Sequence, residues 1–511
     1  MVSKKTTSLI VSGVGLIISV TAIVLASWGF DEIVNEQIES ELRLDIKGSE
    51  AYKNFEVTPI DIYMKFFIFN ITNFDEAETA GKNWKPKVQE VGPYTYVEKR
   101  FKENISFINN KEQVEFLQIK TFHFDAARSG PNLSEDDMLI VINAPILGVL
   151  ELLQSILPST MWGTIASIMR DEPINPAFFT GTMKELMFTG APSVFLTKLM
   201  VILETFGGIL PEIPEFPANI KPLSTGETGF AFFPKNGSAE GPYTVHTGKA
   251  GLGNYQDIIT FENKTHLGYW NDQPETTPEN SCNRVRGTDG TVFKPFIKKT
   301  DRLNIFDTNT CRVLYMEYVQ KIKHRGIEGY RFTLPEFQLA NHTVNPDNVC
   351  YCYPDDSNCL GAGIINLVSC MRVPVYLSMP HFFQGADEYF LAVDGLMRDP
   401  EKHTTFIDVE PLTGFPLRAA KRIQMNFKVS SYDLPRFPAI LKNLPDNLIL
   451  PLLWVEEYGE LDKKLADEFK SKISTPLEVM DVMQWVLLAF GVVVLLAGVG
   501  LFINARKVSA N

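Results

Sequence analysis

Two uncharged stretches set the architecture: LIVSGVGLIISVTAIVLASWGF at Leu9 to Phe30 and VMQWVLLAFGVVVLLAGVGLFI at Val482 to Ile503, near the two ends of a 511-residue chain. Each supplies about the ~20 apolar residues that an α-helix needs to cross the hydrocarbon of a bilayer. Lys4 and Lys5 precede the first and Arg506 and Lys507 follow the second, so the positive flanks place both tails, 1–8 and 504–511, in the cytoplasm. Trp28 and Trp485 suit the membrane interface. A cleaved signal peptide ending at Val24-Leu25-Ala26 is the competing reading of the first stretch. Its apolar run exceeds the roughly 7 to 15 residues of a signal core, which favours a retained helix.

Residues 31–481 then lie outside the cytosol. The chain holds 48 Lys and Arg against 61 Asp and Glu, a net charge of -13, and subtracting the four positive tail charges leaves -17 on this ectodomain. Such a balance lacks the basic footprint of a nucleic-acid binder. Sequons at Asn70, Asn104, Asn132, Asn236, Asn263 and Asn341 all fall in the same region and are its glycosylation candidates. All six cysteines, Cys282, Cys311, Cys350, Cys352, Cys359 and Cys370, fall within 282–370. An even, local set outside the cytosol reads as three disulfides. The alternative is a metal site, and Cys-x-Cys followed after six residues by a third Cys matches no standard zinc spacing.

The ectodomain shows no repeat, and the proline-rich breaks at Pro211 to Pro222 and Gln273 to Ser281 are too short to divide it. Ile423, Met425, Phe427 and Val429 alternate with Gln424, Asn426 and Lys428; Tyr330 to Leu334 and Phe122 to Phe124 are shorter examples. This period predicts a largely antiparallel sheet with one wet face. Residues 135–210 differ: they are cysteine-free and carry apolar runs of helical length at Leu139 to Leu157, Met183 to Phe188 and Ser193 to Phe206. A small helical bundle is expected there, and Asn143, Pro145, Glu151 and Gln154 argue against a third membrane span. Runs this apolar either bury one another or form a greasy surface or pocket that meets lipid or a partner. Strands and helices in separate regions make the class α+β.

No GxSxG, HExxH, Walker-type loop or dinucleotide fingerprint occurs, and the seven His residues form no cluster. The reading is therefore non-enzymatic, with no catalytic residue, metal or cofactor.

Several longer motifs lie between the spans: EVGPYTY at Glu90 to Tyr96, GTDGTVFKPF at Gly287 to Phe296, NPDNVCYC at Asn345 to Cys352, VPVYLSMPHFFQ at Val373 to Gln384, FIDVEPLTGFPLRAAKRIQMN at Phe406 to Asn426 and ILPLLW at Ile449 to Trp454. In combination with two terminal spans they resemble the class B scavenger receptors, the cluster-of-differentiation thirty-six family, over essentially the whole chain. The resemblance implies an irregular antiparallel β-barrel ectodomain with a hydrophobic tunnel and an apical helical bundle, flanked by two transmembrane helices. It implies the pairs Cys282–Cys350, Cys311–Cys370 and Cys352–Cys359; the residues alone leave 15 pairings open. Turn-forming Gly92-Pro93, Asn345-Pro346, Pro380 and Gly414 read as scaffold, as do His381 and His403.

The resemblance further implies that ligands first bind the apical bundle, where Arg170, Phe178, Phe179, Leu186, Phe188, Phe195 and Leu199 are the candidate contacts. The expected function is a cell-surface scavenger or lipid receptor that passes fatty acids, sterols, carotenoids or lipoprotein lipid through the tunnel to the membrane. The alternatives are a sensory neuron membrane protein delivering lipid pheromones, or a recognition receptor for cells, pathogens or a protein partner. Lipids, lipoprotein-like particles, the membrane, protein or cell-surface ligands and a second copy of the chain are the candidate partners. Two departures qualify this. IMRDEPIN at Ile168 to Asn175 sets Arg170 beside Asp171 and Glu172, against a basic apex for anionic particles, and the tails lack the cysteines palmitoylated in some relatives. The tail NARKVSAN carries neither a dileucine nor a tyrosine sorting motif, which favours the plasma membrane over endosomal or lysosomal membranes.

Overall fold

The computed structural model describes residues 4–24, 30–154, 157–170, 176–206, 219–234, 236–272, 277, 281–372, 374–434 and 436–508. Trp28, Asp171 and Glu172 and most of the two proline-rich breaks lie outside them.

Eleven strands carry the ectodomain: β1 (Ile62–Ile71), β2 (Val88–Ile108), β3 (Gln113–Phe124), β4 (Ala239–His246), β5 (Ile258–Phe261), β6 (Leu303–Asp307), β7 (Arg312–His324), β8 (Ile327–Thr333), β9 (Phe406–Val409), β10 (Pro416–Val429) and β11 (Leu448–Glu460). They pair antiparallel in the order β5-β4-β3-β2-β1-β11-β10-β9-β8-β7-β6, and the short strands Ile365–Asn366 and Val375–Ser378 extend the sheet beside β10. The sheet curls until its edges nearly meet. Gly287 and Thr288 bridge the gap: the Ile258 amide donates to Gly287 O at 2.7 Å, and Thr288 exchanges hydrogen bonds with Asn304 and Phe306. The motif GTDGTVFKPF thus does the closing, and closure removes the exposed edges of an open sheet.

Close approach accounts for two motif glycines. A Cβ on Gly92 would lie 2.7 Å from Phe66 O, where β2 crosses the irregularity in β1 between Phe66 and Ile68. Gly414 has φ +74°, and its Cβ would strike Phe293 O, while its own carbonyl accepts from the Phe293 amide at 3.0 Å. Any side chain at either position would force the two segments apart.

The expectation of a wet sheet face fails at β10. Gln424 and Asn426 are fully buried, whereas Ile423 and Met425 on the opposite face are only half-buried. The reason is closure: the apolar face turns into the barrel, and residues 375–403 fold over the outside. Each buried amide is therefore hydrogen-bonded. Gln424 Oε1 accepts from the His381 amide at 2.6 Å, and Asn426 Nδ2 donates to Ser378 Oγ at 3.1 Å. The same layer joins three motifs. Glu90 accepts from Trp454 Nε1 at 2.7 Å and pairs with His381 Nε2 at 2.6 Å; His403 stacks on His381 at 4.5 Å, and Trp454 stacks on Phe67 at 3.8 Å.

The segment 135–210 is mixed, not purely helical. Met138–Ile142 is a strand paired with Phe178–Thr182, because the β-branched run Ile140-Val141-Ile142 prefers extended backbone. Asn143 Oδ1 then accepts from the Ile146 amide and starts the helix Ala144–Gln154, with Pro145 in the first turn where its missing N–H is harmless. Helices Trp162–Met169 and Val194–Phe206 pack against each other, and Glu185–Thr189 forms one π-helical turn. These elements share one apolar core with the adjoining half of the barrel.

The terminal helices Lys4–Val24 and Thr475–Val508 lie against each other and are long and apolar enough to cross a membrane. Small residues set their approach: a Cβ on Gly15 would strike the Leu495 backbone, one on Gly498 would meet Ser12, and one on Gly491 would lie 2.6 Å from Ser19 Oγ. At the other extreme of the chain's chemistry, three disulfides, Cys282–Cys350, Cys311–Cys370 and Cys352–Cys359, staple the loops after β5 and β8 to the start of β7.

Candidate functional site

Side chains alternate across a strand, so every second residue of β1, β2 and β3 points into the barrel. On β2 that set is Tyr94, Tyr96, Glu98, Arg100 and Lys102; on β3 it is Phe124, Phe122, Lys120 and Gln118, paired across from it. Each strand therefore runs from aromatic to charged along its inner face, and the interior divides into two levels.

The upper level, toward the helices, is packed with rings. Phe188 from the π-helical turn enters the barrel mouth and meets Tyr96 at 4.8 Å, Phe122 at 5.7 Å and Phe66 at 5.8 Å. Tyr96 also meets Phe124 at 5.3 Å, and its hydroxyl donates to Glu135 at 3.1 Å. Tyr94 donates likewise to Asp137 at 3.0 Å, so both buried phenols are satisfied.

Below the rings lies a cavity of about 180 Å³. One wall is aliphatic and includes Ile305, Leu314, Met316, Leu377, Ile407 and Ile423. The other is charged. Arg100 spans Glu98 and Glu457, each at 2.6 Å, and Lys421 pairs with Asp307 at 2.9 Å. Burial alone would raise Glu457, but Arg100 and Lys421 outweigh it and hold the carboxyl well below its usual range. Asp289 is held low in the same way by Lys102 and Arg100. Burial, joined by the like charges of Arg100 and Lys120 and opposed by Asp289, brings Lys102 down to about 8. Its ammonium donates to Phe55 O at 3.0 Å and sits over the Phe55 and Phe116 rings.

Lys120 differs from its neighbours. It lines the cavity, half-buried, yet its ammonium makes no ion pair or hydrogen bond among the described residues. The site thus offers an aliphatic wall, a charged belt in which Glu98, Asp289, Asp307 and Glu457 face Arg100, Lys102 and Lys421, and a further cation, Lys120, whose charge acts on Glu457 without a direct pair. An amphipathic molecule with an anionic head has the matching distribution.

The candidate apical contacts separate sharply. Phe178, Phe179, Leu186, Phe188, Phe195 and Leu199 are all buried in the shared core, so the apolar runs bury one another; Arg170, at the end of Trp162–Met169, is exposed. Among the described residues of this region, Met138 and Val201, both about three-fifths exposed, are the large apolar side chains presented to solvent. Of the seven, only Phe188 reaches the barrel interior. The cavity residues Arg100, Lys120, Lys421 and Glu457 escaped the sequence reading, although the period-2 run Tyr94-Tyr96-Glu98-Arg100-Lys102 was a usable signal for an inward face that changes character along its length. Asn104, Asn132, Asn236 and Asn263 are exposed, whereas Asn70 and Asn341 are half-buried. The Asn341 amide nitrogen donates to Leu360 O at 2.8 Å.

Comparison with known proteins adds a wider frame. The profile of the CD36 family matches residues 13–502. Sensory neuron membrane protein 2 of Heliothis virescens is 30% identical over 500 residues, covering 95% of this chain and 91% of that protein. Lysosome membrane protein 2 of Homo sapiens is 30% identical over 480 residues, covering 93% and 90%. Sensory neuron membrane protein 2 of Manduca sexta is 30% identical over 497 residues, covering 93% and 89%.

Proposed function

The chain belongs to the CD36 family, and on that premise we propose that it is a membrane-anchored lipid receptor whose barrel cavity takes amphipathic lipids with an anionic head, fatty acids above neutral sterols and carotenoids. The observation that carries this reading is the Lys120 ammonium, without a direct pair among the described residues, facing a cavity with an aliphatic wall. A carboxylate there gains a charge-assisted partner, and the acyl chain gains apolar burial worth about 0.8 kcal/mol per methylene before ordering costs.

In this reading both tails are cytoplasmic, 31–481 faces outward, and lipid enters past Phe188 from the apical helices before leaving toward the bilayer. The plasma membrane is the compartment we propose. Relatives named for sensory neurons and for lysosomes match at the same identity, so a sensory and a lysosomal setting stand as rivals tested by surface biotinylation. Exposed Met138 and Val201 favour a second reading, recognition of a protein or particle at the apex. Their double replacement by Asp should abolish such capture and leave lipid uptake unchanged.

The test is native mass spectrometry of the full chain released from detergent after incubation with palmitate, the matching fatty alcohol, cholesterol and a carotenoid. We expect one palmitate retained, with Lys120→Met weakening palmitate about tenfold, the equivalent of 1.4 kcal/mol, and leaving the alcohol unchanged. Equal retention of palmitate and alcohol by both proteins overturns the headgroup assignment. Retention of no lipid by the folded protein overturns the receptor reading itself.

A further inference from the structure

A second, smaller pocket of about 40 Å³ lies on the far side of β7, among the disulfide-bonded loops. Its lining holds Arg312 and the side-chain amides of Gln338, Asn341, Asn348, Asn358 and Asn366, with no Asp or Glu among the described residues. Arg312 is 4% exposed, its buried Nε has no hydrogen-bond partner, and no carboxylate pairs with its guanidinium among the described residues. Its neighbour across the hairpin, Asp307, is paired with Lys421 at 2.9 Å. What Arg312 does touch is the Tyr351 ring, 4.0 Å from the guanidinium carbon. A ring face recovers part of the energy lost on taking a full charge out of water, but far from all of it.

Asn341, Asn348 and Asn358 spend their NH₂ groups on Leu360 O, on Gln338 O and Ala340 O, and on Asp355 Oδ1, but the other two amides do not. Gln338 and Asn366, both buried, use their oxygens to accept from the Tyr315 and Val368 amides, which leaves their NH₂ groups as the ends still to be satisfied. His342 also lines the pocket, and its buried Nδ1 has no partner. His342 lies beside the sulfurs of Cys352 and Cys359, but these are bonded to each other and offer no thiolate, so the group is not a cation site. A buried positive charge, the free NH₂ groups of Gln338 and Asn366 and, among the described residues of the lining, no carboxylate define the chemistry of a site for an anion. The volume is that of roughly three water-sized particles, which excludes sulfate-linked sugars, nucleotides or lipid headgroups.

We propose that this pocket binds a single inorganic anion of halide size, held by the Arg312 guanidinium with the amides of Gln338 and Asn366. The ion neutralises the buried arginine and ties the start of β7 to the loop closed by Cys352–Cys359. The site shares the wall residues Leu339 and Ile365 with the lipid cavity but none of its charged groups, and its test does not depend on lipid binding.

Thermal unfolding of the full chain in detergent is to be followed in NaCl, NaBr and sodium gluconate at one ionic strength. The expected result is a saturable, halide-specific rise in Tm of about 2 °C or more, lost in Arg312→Gln. Because that variant removes a buried side chain and can misfold, Asn366→Leu and wild-type crystals soaked in bromide provide independent readings. Asn366→Leu should raise the half-saturating halide concentration several-fold, and bromide should give an anomalous peak beside Arg312. Identical Tm in halide and gluconate, or bromide peaks only elsewhere with water beside Arg312, overturns the proposal.

Discussion

The two levels of the barrel interior are built by the same strands and stabilised by opposite means. Above, Phe66, Tyr96, Phe122 and Phe188 fill the lumen with apolar contact. Below, Arg100, Glu457, Lys421 and Asp307 hold the wall apart around open space. Rings tolerate no cavity without loss, because an interior packed to native density loses both transfer energy and contacts when a void appears. Paired charges can line a void at less cost, since their partners and admitted water satisfy them. Under the proposed function, a passage for lipid would have its storage space at the charged level and its barrier at the aromatic one.

The most severe test of that contrast is Arg100→Met. It leaves Glu98 and Glu457 buried without their shared partner, and Glu98 is already fully enclosed with one oxygen unsatisfied. The expected destabilisation is about 3 to 5 kcal/mol, read as a lowered denaturation midpoint or loss of surface expression. A change below about 1 kcal/mol would mean that the lower level does not depend on its ion pairs.

Phe188→Ala attacks the upper level and should cost about 3 kcal/mol, within the range for truncating a buried ring. Unlike Arg100→Met, it removes the barrier itself, so lipid exchange measured with a fluorescent fatty acid should accelerate while equilibrium affinity changes little. Slower exchange would place the entry route elsewhere.

Acid separates the levels without mutation. Burial, reinforced by the adjacent His381, lowers His403 to about 4, whereas the unfolded chain titrates near 6.5. Between those values the unfolded state binds more protons, so stability is lost as pH falls from about 6.5 to 4, by no more than about 3 kcal/mol. Glu90 is opposed by burial but held low by His381 and Trp454; its contribution is present above its unfolded pKa and is lost as pH drops through the lowered folded value. Both groups brace the outer wall beside Phe67, at the aromatic level, whereas Glu457 keeps its charge well below the usual range. Hydrogen exchange at pH 5 should therefore rise first in β1 and β11 near Phe67 and Trp454, and His403→Gln should flatten the response. Uniform acceleration through the barrel would erase the distinction.

How much of this was legible follows the physics of each signal. The terminal apolar runs, the strand period and the even, local cysteine set depend on local composition, and the structure shows two long apolar helices, antiparallel strands and three disulfides. The wet face at Gln424 and Asn426 was misread because period 2 reports that two faces differ, not that one meets water; a covering layer 375–403 decides that, and it is remote in sequence. The strand Met138–Ile142 was hidden inside an apolar run that fits a helix equally well. Lys120 was invisible as a special residue, since its lack of a partner is a property of four converging strands.

The gentlest test concerns the outer surface, where neither level of the interior is touched. Asn104, Asn132 and Asn263 are exposed, whereas Asn236, also exposed, donates its Nδ2 to Phe122 O at 3.3 Å, Asn70 Oδ1 accepts from the Ile140 amide at 2.8 Å and Asn341 donates inward to Leu360. A glycan replaces an amide hydrogen and needs open space around the nitrogen, so Asn104, Asn132 and Asn263 should be modified first. Single Asn→Gln changes there should each remove one glycan mass with stability altered by less than about 0.5 kcal/mol. Asn341→Gln is the informative exception: it should leave the glycan mass unchanged and still lower stability, because the side chain it alters joins the wall of the Arg312 pocket to Leu360. Loss of a glycan in that variant would mean that the loop opens before it packs, and that the inner hydrogen bond forms only on chains the modifying enzyme has missed.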